Sequence, residues 1–97
     1  MSKPMTPDLN KLRIEIDAID EKLVELFNQR ARCVQEIGRY KQLQQQAIYE
    51  PTREEAVMAN VARSNHGPLP YEELATIYTA ILAAMRRLQS HDLLERP

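Results

Sequence analysis

The sequence predicts an all-α fold of three helices, one long and two shorter. Three observations predict it. Apolar residues recur in a strict three-four alternation through the first part of the chain, the period of a helix face and not of a strand. Helix formers abound, while only 2 of the 97 residues are Gly and alternating β-branched runs are missing. Pro51 and Pro70 stand at the starts of the two later helical stretches, where proline opens a helix instead of breaking one.

The first helix spans about residues 7–44. Thr6 reads as its N-cap, Pro7 as its first helical residue, and Asp8 as an acid in the positive first turn. From there Leu9, Leu12, Ile16, Ile19, Leu23 and Leu26 form a heptad seam. The pattern runs on through Cys33, Ile37 and Tyr40 without a Pro, and Gly38 is its only weak residue. At ~1.5 Å per residue such a helix is ~50 Å long, whereas a compact globule of 97 residues is about 25–30 Å across. The seam needs cover that one chain does not supply. A second copy is the simplest source, and a plain coiled-coil dimer without a pocket is the bland alternative.

Residues 44–50 are a polar connector ending in a short extended piece. The second helix spans about 51–64, with Pro51 at its start and Glu54 and Glu55 in its first turn; Thr52 with Glu55 is an alternative capping box. Asn65, His66, Gly67 and Pro68 stop it. Pro70, Glu72 and Glu73 open the third helix, about 70–89, whose apolar face is Leu74, Ile77, Tyr78, Ile81, Leu82, Met85 and Leu88. Residues 90–97 read as a frayed or linker-like tail. The whole, 1–97, is one small domain whose thin core oligomerisation would help.

Composition narrows the function. With 13 basic and 14 acidic side chains, the formal net charge is −1, which argues against a nucleic-acid or anionic-membrane partner held by bulk charge. Cys33 is the lone cysteine, so neither an intrachain disulfide nor a cysteine metal site forms. His66 and His91 lack ligand spacing and read as solvated. Residues 1–8 carry no apolar leader and no stretch approaches a membrane span, so the expected compartment is the cytoplasm. No nucleophile–base pair, phosphate loop or metal cluster is evident. An enzyme built this way needs no covalent intermediate, no metal and no cofactor.

The informative residues break the helical pattern. Arg30 falls on the seam, seven after Leu23 and four after Leu26. It snorkels to solvent, pairs with a buried Glu, or faces a cavity holding an anion. Lys41, eleven residues on, returns to nearly the same face ~16 Å along the axis, so the two define opposite ends of one small site unless Lys41 is simply solvated. Arg13 lies ~25 Å before Arg30. A metabolite meets both only if an antiparallel partner helix brings its own Arg13 alongside, so a site using both arginines requires a dimer. Gln89 ends the apolar face of the third helix, either as an inward amide in need of a partner or as an exposed residue at a fraying end. Glu54 is at least a favourable charge at a helix start.

These residues fall in a recognisable arrangement. Leu12-Arg13-Ile14-Glu15-Ile16-Asp17-Ala18-Ile19-Asp20, then Leu23-Val24-Glu25-Leu26-Phe27 and Arg30, resembles the first helix of the all-helical chorismate mutases. Ile37-Gly38-Arg39-Tyr40-Lys41 is similar to that family's glycine-to-lysine stretch, Glu50-Pro51-Thr52-Arg53-Glu54 to its acidic element opening the second helix, and Ile77-Tyr78 through Gln89 to its third helix. The resemblance covers roughly residues 9–89. It implies an intertwined homodimer of three-helix chains, with shared active sites, that converts chorismate to prephenate in aromatic amino-acid biosynthesis. Carried over position by position, it implies that Arg30 and Arg13 of the other chain bind the two substrate carboxylates. Lys41 and Gln89 would donate to the ether oxygen of the breaking bond. Glu54 would accept from the ring hydroxyl, with Glu50 and Arg53 closing that side. Two positions depart from the pattern. Glu50 stands where Asp is usual, which matters little if that contact is through backbone. Met85 stands where Ser is common, which removes a hydroxyl donor from the substrate-binding set. The same fold also serves isochorismate-pyruvate lyases, from which Glu54 and Gln89 lean away. A rival of another class is a non-catalytic dimerisation or regulatory module of an aromatic-pathway enzyme.

Overall fold

The computed structural model describes residues 8–95, with side chains described to Ser90. Over these residues the chain forms three helices and no strand: α1 (Leu9–Leu43), α2 (Pro51–Ser64) and α3 (Tyr71–Glu95). Thr6, Pro7 and the last two residues lie outside the described residues, as does the side chain of His91.

Asp8 caps the described start of α1. Its Oδ1 accepts from the backbone N–H of Asn10 at 3.0 Å and of Lys11 at 3.3 Å, and its carbonyl accepts from Leu12 at 3.0 Å. A carboxylate there answers the orphan N–H groups and the positive helix end at once. At the other end Gln46 N–H donates to Lys41 O at 2.7 Å and Gln45 N–H to Gln42 O at 3.2 Å. Gln45 adopts φ 56° between them. This is a Schellman turn with a non-glycine residue in the left-handed region, and it reverses the connector toward the helix it has just left.

α2 begins at Pro51, so the Thr52–Glu55 capping box is not the start. The Glu50 carbonyl accepts from Glu54 N–H at 3.0 Å, and the Glu50 side chain makes no capping bond. Asn65 terminates α2: its Oδ1 accepts from Gly67 N–H at 3.1 Å, and its Nδ2 donates to Leu69 O at 3.0 Å. Gly67 takes φ 75°, a conformation that suits glycine. The Pro70 carbonyl accepts from Glu73 and Leu74 at 3.1 Å each and opens α3. The tail begins later than the sequence reading places it, because α3 runs on to Glu95. No Gly or Pro intervenes between Ser90 and Glu95 to stop it.

The chain divides after Arg30 into two units, with α1 continuous through the boundary. In the first, every described residue before Arg30 is exposed. Its seam residues Leu9, Leu12, Ile16, Ile19, Leu23 and Leu26 are between 42% and 58% exposed, and Arg30 itself is half-buried. In the second unit α2 packs on α3, with Val61 and Leu82 buried. The last turns of α1 bury Val34, Gly38 and Lys41. That three-four stripe lies one step round the helix from the seam, whose later members Cys33, Ile37 and Tyr40 are exposed.

Candidate active site

The second unit buries two polar side chains among the described residues, Lys41 and Gln89, each 6% exposed. The reversed connector brings Ile48 and Glu50 back over Lys41. Lys41 Nζ donates to Ile48 O at 2.8 Å and forms an ion pair with Glu50 Oε1 at 2.6 Å. An ammonium has three N–H donors, so one is unused among the described residues. Gln89 Nε2 donates to Val34 O at 3.2 Å, which leaves one of its two amide N–H groups unused among the described residues. Gly38 lies three residues before Lys41 on the buried stripe and faces Gln89. A Cβ built there would sit 3.5 Å from Gln89 Cγ, so α1 and α3 approach closely at Gln89. The inward reading of Gln89 holds: its amide is not at an exposed fraying end.

A second cluster forms at the start of α2. Arg86, on α3, donates from NH1 to both Glu54 oxygens, at 2.5 and 2.6 Å. Its guanidinium carbon lies 5.0 Å from the centre of the Tyr49 ring, within cation–π range. The hydrogen bond to Glu54 is the main reason the Arg86 pKa is raised, with the Glu54 and Tyr49 charges adding to it against partial desolvation. Glu54 is thus more than a charge favourable to the helix end. Tyr49, Glu54, Met58, Tyr71, Leu82 and Arg86 line a cleft of about 530 Å³, large enough for a small metabolite.

The structure therefore joins Lys41 to Glu50, and Glu54 to Arg86, with Tyr49 and Glu50 adjacent in the chain. Met85 is half-buried on α3, four residues before Gln89, and Arg53 is exposed on α2. Arg13 and Arg30 belong to the first unit, Arg13 exposed and Arg30 half-buried. His66 is exposed. Arg86 escapes the sequence reading, although a signal exists: it lies four residues after Leu82 and three before Gln89, a charge at the edge of the inward face. Among the described residues no three His, Cys, Asp or Glu side chains are grouped to hold a metal ion. No helix there is long and apolar enough to cross a membrane.

Residues 12–90 match the chorismate mutase type II family. The chain belongs to that family. Solved chorismate mutases share its fold. One from Thermus thermophilus, solved as form II, superposes with a TM-score of 0.83 at 33% identity, covering 84% of this chain and 93% of the other. One from Helicobacter pylori, solved in complex with prephenate, gives 0.84 at 31% identity, covering 92% and 97%. A bifunctional chorismate mutase/prephenate dehydratase of Pseudomonas aeruginosa is 37% identical over 86 residues. That match takes in 84% of this chain but 24% of the relative, so this chain spans about a quarter of that bifunctional protein's length. What family membership secures is the three-helix chorismate mutase domain.

Proposed function

We propose that this chain is a chorismate mutase, rearranging chorismate to prephenate in the cytoplasm as a step toward aromatic amino acids, and that it works as an intertwined homodimer with shared active sites. One observation carries the reading: a domain of this family buries Lys41 and Gln89, with Gly38 facing Gln89 one turn before Lys41, and each has one N–H donor unused among the described residues. The rearrangement is pericyclic. It breaks a C–O bond and forms a C–C bond within one molecule, with no proton transfer and no nucleophile. Catalysis then reduces to two tasks. One is holding the dianion in its compact reactive shape, which Arg30 and the partner subunit's Arg13 do as carboxylate clamps. The other is stabilising negative charge on the ether oxygen as the bond breaks, which Lys41 and Gln89 do as preorganised donors. Glu54 accepts from the ring hydroxyl, and Glu50 and Arg53 close that side. Met85 offers no hydroxyl, so binding rests on the remaining groups.

The homodimer is supported by the exposed seam. Six large aliphatic side chains in heptad register stand open to water on α1, a stripe that a second copy covers. The relative solved with prephenate supports the ligand class, and the bifunctional relative supports the pathway. The test is loss of chorismate absorbance on adding pure protein, with prephenate identified as product. Release of pyruvate from isochorismate, without turnover of chorismate, would assign the chain to the lyases instead. Turnover of neither would leave it a dimerisation module.

A further inference from the structure

Arg86 ties three segments together: it donates to Glu54 on α2, it stacks on Tyr49 of the connector, and it is itself on α3 one turn before Gln89. Two ion pairs form among the described residues of this unit. Lys41 answers Glu50, and Arg86 answers Glu54. Without Arg86 the unit would present an unpaired Glu54 carboxylate, 22% exposed, toward a ligand that is itself an anion. Like charges at close range oppose binding and push the carboxyl toward its neutral form.

We infer that Arg86 is a positioning and specificity-determining residue: it holds Glu54 as a charge-compensated acceptor that favours a neutral ring hydroxyl over an ammonium at the same ring position. The inference rests on the mutase reading of the site. A compensated carboxylate keeps lone pairs for a hydroxyl donor, since two oxygens offer about four acceptor positions. It has little net charge left to attract a cation. An uncompensated carboxylate has the reverse preference. One nitrogen of Arg86 bridges both Glu54 oxygens, so a lysine ammonium placed there reproduces the essential contact, although not the planar stacking on Tyr49.

The experiment compares wild type with Arg86→Met, Arg86→Lys, Glu54→Gln and the Arg86→Met/Glu54→Gln pair, on chorismate and on its analogue with an amino group in place of the ring hydroxyl. Folding and oligomeric state are followed in parallel. Arg86→Met lowers kcat/KM for chorismate by about 10- to 100-fold, as expected for loss of a charge-assisted contact, and most of the loss lies in KM. The same variant shifts the amino-to-hydroxyl ratio of kcat/KM by about tenfold toward the amino analogue. Arg86→Lys keeps most activity. Adding Glu54→Gln to Arg86→Met restores part of what Arg86→Met loses, because the neutral amide no longer needs compensation. A ratio unchanged by Arg86→Met overturns the inference, as does a double variant whose losses simply add. If Arg86→Met does not fold, the ratio measured on Arg86→Lys and Glu54→Gln decides: Arg86→Lys must hold it near wild type while Glu54→Gln moves it. A wild-type protein that turns over no chorismate removes the mutase reading and this inference together. A wild type that does so with an indifferent Arg86 removes the inference alone.

Discussion

The stretch before Arg30 and the unit that follows it use their side chains in opposite ways. The first is rich in large aliphatic residues and buries none of those described. The second buries few side chains, and two of them are polar. Exposed aliphatic residues in heptad register are stabilising only when another surface covers them. Buried donors with an unused N–H are tolerated only where a ligand or a neighbour completes them. One region is thus incomplete for want of a protein surface, the other for want of a polar ligand. The proposed homodimer with shared sites would answer both at once, since the helix that needs covering carries Arg13 and Arg30.

The largest effect that separates the regions is expected from the seam. Leu23→Glu places an unpaired carboxylate in the covered interface at ~3–5 kcal/mol per copy. Sedimentation should show monomer, and turnover should fall by about 100-fold or more at equal protein concentration. Glu21→Lys, at the outward heptad position and exposed, should leave both nearly unchanged. A dimer that survives Leu23→Glu would mean the seam is not the interface.

Lys41→Met and Gln89→Leu probe the second region without touching the first. Each removes one preorganised donor, so kcat should fall by about 10²–10³-fold while sedimentation still reports the dimer. Dissociation by either variant would break the division of labour between the regions.

The pH dependence should be weak. Gln89 donates at any pH. The Arg86 pKa is raised by its hydrogen bond to Glu54, so whatever that pair contributes is present below the ordinary arginine range. It is lost only as pH rises through the raised value, far above neutrality. The kcat profile should therefore be flat from pH 6 to 8, and a steep loss within that window would point to a titrating group not named here.

The smallest effect concerns the turn that carries the connector. Gln45→Gly relieves the left-handed φ of 56° and should stabilise the protein by about 1 kcal/mol, read as a rise in Tm with kcat unchanged. A fall in Tm would show that the Gln45 side chain contributes more than its backbone costs.

How much of this was legible in the sequence depends on the range of the interaction. Periodicity shows which residues share a helix face, and so the seam, the three helices and the pattern-breaking Arg30 are readable. It does not show which face meets which neighbour. The end of α1 buries Val34, Gly38 and Lys41 and leaves Cys33, Ile37 and Tyr40 exposed, a rotation of one residue that only packing against α3 decides. The Asp8 cap competes with Thr6 two residues away, and both satisfy the same local rule. The Arg86–Glu54 pair spans 32 positions and has no local signature, whereas Lys41 and Gln89 are singled out by their places on the helix faces and again by the family resemblance.

The central claim, that each site takes Arg13 from one chain and Lys41 from the other, is tested most directly by mixing two dead variants. Arg13→Ala and Lys41→Ala homodimers are each inactive if the assignments hold. After subunit exchange, half of the dimers are mixed, and each of these has one site with both substitutions and one with neither. The account predicts recovery to about a quarter of wild-type chorismate turnover. A mixture that exchanges subunits, as shown by mass-tagged protein, yet stays as inactive as its parents would contradict it.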